Sequence, residues 1–252
     1  VGVFYQRGFI EAAIHTISQE IPSLDQLGLP ETLRDLVRGD GGGLVFVTGS
    51  DTSGKKGTLA ALLEAVNQER TATILTLENP VQYVFSNRRS VVRQREVGSD
   101  VPSFAEGLRS ALLQDADVIA LSDIPDTETA EGLVRAAESG RLILATMPTA
   151  DAVQTIERLV AWLPASQRIA ALHILSIHLR GIVSQCRLPR SDGRGTALAL
   201  EIMVPHEGIR AAIRTDKLDQ LANLMRSAPG AHPLDASLRA LVEPRLQGNF
   251  FT

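Results

Sequence analysis

Cysteine, aromatic residues and long apolar runs are all scarce in this sequence. One of its 252 residues is cysteine and 4% are aromatic, so the chain can form neither an internal disulfide nor a cysteine-rich metal site. Such usage agrees with a reducing compartment, and Cys186 is predicted to be an ordinary core residue. The longest apolar stretches, such as residues 44–47 and 142–145, fall far short of the ~20 residues that span a bilayer. No signal-peptide pattern opens the chain, so we expect a cytoplasmic protein.

An excess of positive charge is also lacking. The 25 Lys and Arg residues are outnumbered by 29 Asp and Glu residues, which leaves a net charge of −4. Such a surface has no broad attraction for nucleic acid or an acidic membrane, so any site for a polyanion has to be local. Apolar residues make up 44% of the chain. That composition is typical of a globular protein with one large or two modest domains, and it excludes disordered and fibrous classes.

The N-terminal part of the chain predicts a separate region. Residues 1–5 and 10–17 alternate apolar and polar side chains as strands do, but two strands do not complete a sheet. We therefore interpret residues 1–20 as the end of an N-terminal domain. Residues 21–43 are predicted to be a linker with one short helix, which begins at Pro30 and carries Leu33, Leu36 and Val37 on one face.

The rest of the chain, residues 44–252, predicts an α/β domain with a mainly helical C-terminal part. Short β-rich runs alternate with helical patterns, which indicates a parallel sheet covered by helices. The predicted strands are residues 44–48, 73–77, 118–121 and 142–146, and one helix begins with a capping box of Ser103 and Glu106. The later predicted helices are residues 150–163, 165–185, 206–225 and 234–242. A hairpin-like passage interrupts them, with residues 186–188 and 197–204 on either side of a turn at 192–195.

The residues with recognisable chemistry concentrate in a glycine-rich loop between the strand at 44–48 and the helix that follows. Its residues are Gly49, Ser50, Asp51, Thr52, Ser53, Gly54, Lys55, Lys56, Gly57 and Thr58. A loop in this position points backbone N–H groups at a phosphate, and the lysine after the second glycine reaches the β and γ oxygens. The usual next residue is Ser or Thr, whose hydroxyl binds Mg²⁺, but here it is Lys56. A glycine-rich turn without function is the alternative interpretation.

Five segments resemble, in order and spacing, the type IV pilus retraction ATPases of the PilT type within the secretion ATPase superfamily. They are GLVFVTG at 43–49, LTLENP at 75–80, QREV at 94–97, FAEGLRSAL at 104–112 and ESGRLILAT at 138–146. The later segments EIM at 201–203 and GIRAAIR at 208–214 are similar to the part that distinguishes the retraction branch.

The resemblance implies a PAS-like N-terminal domain, of which residues 1–20 are a remnant, followed by a RecA-like ATPase domain. It also implies a hexameric ring, either of this chain or mixed with an active retraction ATPase, that binds ATP or ADP between the two domains. Such rings turn against a platform protein in the inner membrane, so the chain is expected at the pilus base. Carried over, the nucleotide-binding residues are Gly49, Thr52, Ser53, Gly54, Lys55, Lys56, Gly57 and Thr58, and the catalytic ones are Glu78 and Asp123.

Several of the family's functional positions are altered here. A family glycine in the loop is Thr52, and the Ser-Thr after the lysine is Lys56-Gly57, so Mg²⁺ binding is predicted to be impaired. The family's Glu-Asp-Pro reads Glu78-Asn79-Pro80. The Walker B glutamate corresponds to Asp123, whose side chain is roughly 1.5 Å shorter, whereas a general base has to come within about 3 Å of its proton.

Further family residues are replaced outside the loop. The two family histidines correspond to Arg141 and Pro148, and a family arginine and proline correspond to Leu113 and Ala116. The charged residues in the matching segments also have ordinary structural interpretations: Asp123 as a helix N-cap, Glu78 at a strand end and paired with an arginine, and Arg95 solvated or ion-paired.

Two functions of different class remain open from the sequence. The favoured one is a catalytically silent structural or regulatory ring subunit, because Mg²⁺ supplies much of the charge neutralisation in phosphoryl transfer. The other is an active but atypical ATPase. A RecA-like protein acting on DNA is disfavoured, because the chain has no basic stripe with interleaved aromatics and we expect no nucleic-acid partner. Lys56 is predicted to replace Mg²⁺ by holding Glu78 or Asp123; the alternative is that it extends into solvent.

Overall fold

The structure is a computed structural model that describes residues 2–13, 20–189, 196–227 and 233–246. The strands are β1 (Gly2–Gln6), β2 (Phe9–Ala13), β3 (Gly43–Thr48), β4 (Thr73–Glu78), β5 (Val91–Glu96), β6 (Val118–Leu121), β7 (Leu142–Met147), β8 (Leu179–Pro189) and β9 (Thr196–Met203). The helices are α1 (Glu31–Val37), α2 (Lys55–Glu69), α3 (Phe104–Leu113), α4 (Thr127–Ala137), α5 (Ala152–Ala161), α6 (Arg168–His178), α7 (Glu207–Arg214), α8 (Leu221–Ser227) and α9 (Leu234–Leu246). Short 3₁₀ turns lie at Asp51–Ser53, Ala165–Gln167 and Leu218–Gln220.

Seven strands form the main sheet, in the order β5-β4-β6-β7-β3-β8-β9. All neighbouring pairs are parallel except β8 and β9, which are antiparallel. The four strands predicted from the sequence are therefore present and parallel, and the predicted α/β class is confirmed. The sequence prediction missed β5, which pairs with β4 at the edge of the sheet. Its alternating exposed and half-buried residues are typical of an edge strand.

Alternate residues of β3 enter two different cores. Leu44 and Phe46 pack in a cluster with residues of α3 to α8, whereas Val45 and Val47 pack in a second cluster with α1 and α2. Because helices cover both faces, every residue of β3 is buried. The strand that leads into the glycine-rich loop is therefore held rigidly on both sides.

The helices begin where the sequence supplies a cap. The side chain of Ser103 accepts a hydrogen bond from the N–H of Glu106 at the start of α3, as predicted. Asp126 and Asp151 cap α4 and α5 in the same way. The predicted short helix is α1, with Pro30 at its N-cap and Leu33, Leu36 and Val37 buried.

Two predicted helices are wrong in extent. The helix predicted at 165–185 ends at His178, and Leu179 begins β8, whose buried residues pair with β3. Without β8, the buried N–H and C=O groups on this side of β3 would have no hydrogen-bond partner. Pairing with β3 therefore overrides the helical sequence pattern of the residues after His178. The helix predicted at 206–225 is broken after Arg214, where Asp216 has a φ of 56°.

Cys186 is exposed, so the prediction that it is a core residue is wrong. The last residue of β8 that pairs with β3 is Ser184, and beyond it β8 pairs with β9 alone. This part of β8 has one neighbouring strand rather than two, and the side chain of Cys186 is open to solvent there. The predicted antiparallel strands are present, whereas the predicted turn at 192–195 lies outside the described residues.

At the N-terminus, β1 and β2 form an antiparallel hairpin whose large apolar side chains are exposed. The division of the chain at residues 20 and 43 stays a prediction. In the described part of the chain, no helix is both long and apolar enough to cross a membrane.

Candidate nucleotide-binding site

The glycine-rich loop lies at the carboxyl edge of the parallel sheet, between β3 and α2, as predicted. Open parallel sheets bind their ligands at this edge. Gly49 and Gly54 have φ values of 139° and 85°, which only glycine adopts without strain. A side chain on Gly49 would also collide with the backbone oxygen of Gln185.

Strand β8 holds the loop from the side. The Nε2 of Gln185 donates to the backbone oxygen of Ser53 over 2.8 Å, and the hydroxyls of Thr48 and Ser184 are 2.9 Å apart in the buried interior. Sequence reasoning missed this support, because it placed Ser184 and Gln185 in a helix. Among the described residues, the Ser53 hydroxyl and the Oε1 of Gln185 are buried without a hydrogen-bond partner. These polar atoms beside the loop leave hydrogen-bonding capacity for a ligand or water.

The loop lysine is paired within the loop itself. The Nζ of Lys55 donates to Oδ1 of Asp51 over 2.7 Å. The Lys55 side chain is 5% exposed, whereas that of Asp51 is 94% exposed. The hydrogen bond and charge of Lys55 lower the pKa of Asp51, and the charge of Lys56 adds to this. The i,i+4 spacing of the two residues was the signal in the sequence that could have found the pair.

Lys56 lies in the first turn of α2 and is half-buried. It lines a cleft of about 420 Å³ together with Asp51, Lys55, Asn79, Asp123 and Pro148. In the described part of the chain it makes no ion pair with Glu78 or Asp123. The prediction that Lys56 holds one of these carboxylates is therefore wrong, because both acids find other partners.

Glu78, at the end of β4, is bound by neutral donors. Its carboxylate accepts hydrogen bonds from the Thr76 hydroxyl at 2.7 Å and from the Gln94 amide at 3.0 Å. The backbone N–H of Gln82 adds a longer bond at 3.4 Å. Neutral donors satisfy this carboxylate, and no arginine of the described ranges pairs with it, although the alternative interpretation supposed such a pair. Arg95 donates instead to Ser110 and Gln114.

Asp123 lies just beyond β6 on the wall of the cleft. Its Oδ1 accepts a hydrogen bond from the N–H of Ile124 over 2.8 Å, and the residue is exposed. The cap of α4 is Asp126, so Asp123 is not the helix cap of the alternative interpretation. A carboxylate therefore faces the cleft that also contains Lys55.

The remaining predicted binding residues follow the fold of the loop. Thr52 is exposed, and its hydroxyl is 3.3 Å from that of Ser50. Thr58 is buried in the first turn of α2. Gly57 lies near the hydroxyl of Tyr83. A guanidinium that the sequence analysis missed, that of Arg187 from β8, lies against Gly54. No sequence pattern pointed to this residue.

Some of the altered family positions lie far from the loop. Arg141 immediately precedes β7, at the amino edge of the sheet, where its guanidinium donates to the backbone oxygens of Ala116 and Leu112. Leu113 ends α3 near the same edge. The replacements at Arg141, Leu113 and Ala116 are therefore away from the carboxyl edge of the sheet, whereas Pro148 does line the cleft.

Several known proteins are similar to this chain in sequence and in fold. The family model described as type II/IV secretion system protein matches residues 14–192. The uncharacterized protein YggR of Escherichia coli K12 is 38% identical over 224 residues, which cover 89% of this chain and 68% of the relative. The type IV pilus retraction ATPase PilT of Pseudomonas aeruginosa is 36% identical over 247 residues, which cover 96% of this chain and 70% of the relative.

A solved structure agrees with the sequence relatives. The crystal structure of the pilus retraction motor PilT with bound ADP has a TM-score of 0.90 to this chain and 41% identity, and the match covers 96% of this chain and 69% of that one. The chain belongs to the type II/IV secretion system protein family, with the PilT-type twitching ATPases among its close relatives.

Proposed function

We propose that this chain is a subunit of the type IV pilus retraction machinery that binds ATP or ADP and hydrolyses ATP weakly or not at all. Its likeness to PilT supports the place in pilus retraction. The observation that carries the catalytic part is Lys56, which puts an ammonium into the cleft beside Lys55 and Asp123. Because the chain spans 68% to 70% of its relatives, the activity of the whole protein is part of the proposal.

Nucleotide binding is supported by the loop. It has the glycines, the buried lysine and the position at the carboxyl edge of β3 that phosphate binding requires. The Ser53 hydroxyl, which lacks a partner among the described residues, lies in the same loop. Gly49, Thr52, Ser53, Gly54, Lys55, Lys56, Gly57 and Thr58 are the proposed nucleotide-binding residues.

The groups around the cleft do not fit a magnesium ion. Mg²⁺ prefers oxygen ligands in a near-octahedral arrangement. The position that usually supplies a hydroxyl carries the Lys56 ammonium, which repels a divalent cation, and the carboxylate of Glu78 is occupied by three hydrogen-bond donors. Mg²⁺ binding is therefore proposed to be impaired.

The acid–base groups support slow chemistry at best. Asp123 is the carboxylate on the cleft wall and is proposed to stand in for the family's longer glutamate. A base that is roughly 1.5 Å short cannot meet an attacking water at the usual distance of about 3 Å without an intervening molecule. Glu78 retains a carboxyl group at the end of β4, but its Oε1 already accepts hydrogen bonds from Thr76 and Gln94.

A phosphate-release assay tests the catalytic part. We expect this chain to be at least about 100-fold slower than PilT of Pseudomonas aeruginosa under the same conditions, since it lacks metal assistance and a well-placed base. Lys55→Ala should leave this background unchanged, because the background is not catalysed by the loop. A rate close to that of PilT that falls on Lys55→Ala would instead establish the alternative function, an active retraction motor.

The assembly is proposed as a hexameric ring, either of this chain or mixed with an active retraction ATPase, that acts on the pilus platform protein from the cytoplasmic side of the inner membrane. In such rings the N-terminal domain of one subunit packs on the ATPase domain of the next. Light scattering of this chain with ATP tests the homomeric ring: a stable hexamer would support it, and a monomer would contradict it. Native mass spectrometry with an added PilT-type ATPase tests the mixed ring.

A further inference from the structure

The loop lysine already has an anionic partner before any nucleotide binds. Lys55 lies at 5% exposure with its Nζ 2.7 Å from the Asp51 carboxylate. The phosphate oxygens of a nucleotide need the same ammonium. Two anions cannot share it at full strength, so a phosphate has to displace the carboxylate or bind beside it against its charge.

Asp51 is not required elsewhere in the loop. Ser50, not Asp51, occupies the N-cap of the short turn at Asp51–Ser53. Within the described residues its carboxylate makes one side-chain hydrogen bond, the one from Lys55. With 94% of its side chain exposed, it fills no space in either core. A neutral side chain of the same shape should therefore leave the fold intact.

We propose that Asp51 sets the nucleotide affinity of this site by competing with phosphate for Lys55. This inference rests on the proposed nucleotide binding and adds a regulatory device to it. The carboxylate keeps Lys55 paired in the empty loop, and nucleotide binds when the carboxylate moves away into solvent. The affinity is therefore lower than the loop geometry alone would give.

The test measures ATP binding by isothermal titration calorimetry, in EDTA, for the wild type and for Asp51→Asn. We expect Asp51→Asn to bind ATP at least about 10-fold more tightly, and the difference to shrink as salt rises, because salt screens exposed charges. Asp51→Ser, which lacks both charge and length, should show the same direction. If circular dichroism shows that Asp51→Asn folds poorly, the comparison of Asp51→Ser with the wild type decides the test.

A matched control separates this contact from a general charge effect. Asp35 lies on α1 and pairs with Arg38 at 3.0 Å on the exposed surface. Asp35→Asn makes the same change in net charge and should leave the dissociation constant for ATP unchanged within about twofold, because Asp35 pairs with Arg38 rather than Lys55 and does not line the cleft.

The possible results are distinct. Equal affinities of wild type and Asp51→Asn, weaker binding by Asp51→Asn, or equal tightening by Asp35→Asn would each overturn the role of Asp51 while nucleotide binding stands. If wild type, Asp51→Asn and Asp51→Ser all fail to bind ATP at millimolar concentrations, both this inference and the proposed nucleotide binding fail.

Discussion

The guanidinium of Arg187 lies against Gly54, so that a Cβ added to Gly54 would be 2.6 Å from its Nη2. Arg187 is on the part of β8 that extends beyond β3, whereas Gly54 lies in the glycine-rich loop, directly after the turn at Asp51–Ser53. The loop is thus bordered by β8 as well as by β3, the strand that it follows. The guanidinium of Arg187 brings a positive charge from β8 to the loop at Gly54.

Gly54→Ala is expected to destabilise the protein by more than a strained backbone alone. A non-glycine residue at a φ of 85° costs about 1–2 kcal/mol, and the new methyl group must also displace Arg187. Gly98→Ala is the control, since Gly98 has a φ of 92° and nothing within 4 Å of an added Cβ. Urea denaturation measures both changes. In an Arg187→Ala background, Gly54→Ala and Gly98→Ala should lower the free energy of unfolding by the same amount. If Gly54→Ala still costs more than Gly98→Ala in that background, the contact with Arg187 is not the cause.

Gly107→Ala is expected to destabilise the junction of α3 and β4. An added Cβ would lie 2.6 Å from Cδ2 of Leu77, and overpacking of this kind costs about 1–3 kcal/mol against a helix-propensity gain of about 1 kcal/mol. Gly132→Ala on α4 meets only Leu108, at 3.3 Å, so it should be neutral or stabilising. Thermal unfolding compares the two variants. Equal stability of the two variants would contradict the prediction, because it would mean that Leu77 moves aside without a cost in packing.

Glu201→Gln is expected to flatten the pH dependence of stability. Burial raises the pKa of Glu201, and the charges of Asp151 and Asp235 raise it further against the hydrogen bonds from the N–H groups of Ala152 and Leu234. The folded state therefore holds this proton more tightly than the unfolded chain. The protonated Glu201 side chain therefore adds to the free energy of unfolding. This contribution is complete below the pKa of the unfolded chain and is lost as pH rises through the raised pKa of the folded state.

The pH experiment follows from this sign. Between about pH 4 and pH 8, the free energy of unfolding of Glu201→Gln should rise relative to that of the wild type as pH increases. Glu138→Gln, at the exposed end of α4, should leave the profile unchanged. A constant difference between Glu201→Gln and the wild type across this range would refute the role assigned to burial.

Lys56→Ser is expected to make nucleotide binding depend on Mg²⁺. In the wild type the ammonium occupies the position of a metal-binding hydroxyl, so ATP should bind about equally with and without the ion. Hydrolysis should stay low in Lys56→Ser and rise when Asp123→Glu is combined with it, because the longer side chain reaches further into the cleft. Calorimetry with and without Mg²⁺, and phosphate release, give the two readouts. Strict Mg²⁺ dependence of the wild type would refute this prediction.

Much of this protein follows from local patterns in its sequence. Alternating β-rich and helical runs predicted the parallel sheet, Ser103 and Glu106 marked the start of α3, and the glycines and lysine at 49–55 marked the glycine-rich loop at the carboxyl edge. These features depend on backbone geometry, capping and hydrophobic periodicity. Each of them acts within one turn, one strand or one loop, so neighbouring residues determine them.

Only the tertiary structure decided which distant groups meet. The residues after His178 follow a helical pattern, yet they form β8 because β3 needs a pairing partner. In the described part of the chain Lys56 makes no ion pair with Glu78, since Thr76 and Gln94 already satisfy that carboxylate. Arg141 lies at the edge of the sheet opposite the loop. The charges carried by the sequence do not specify their own partners. Strand order and the approach of β8 to the loop do so, because a hydrogen bond or ion pair exists only where the fold brings its two atoms within about 3 Å.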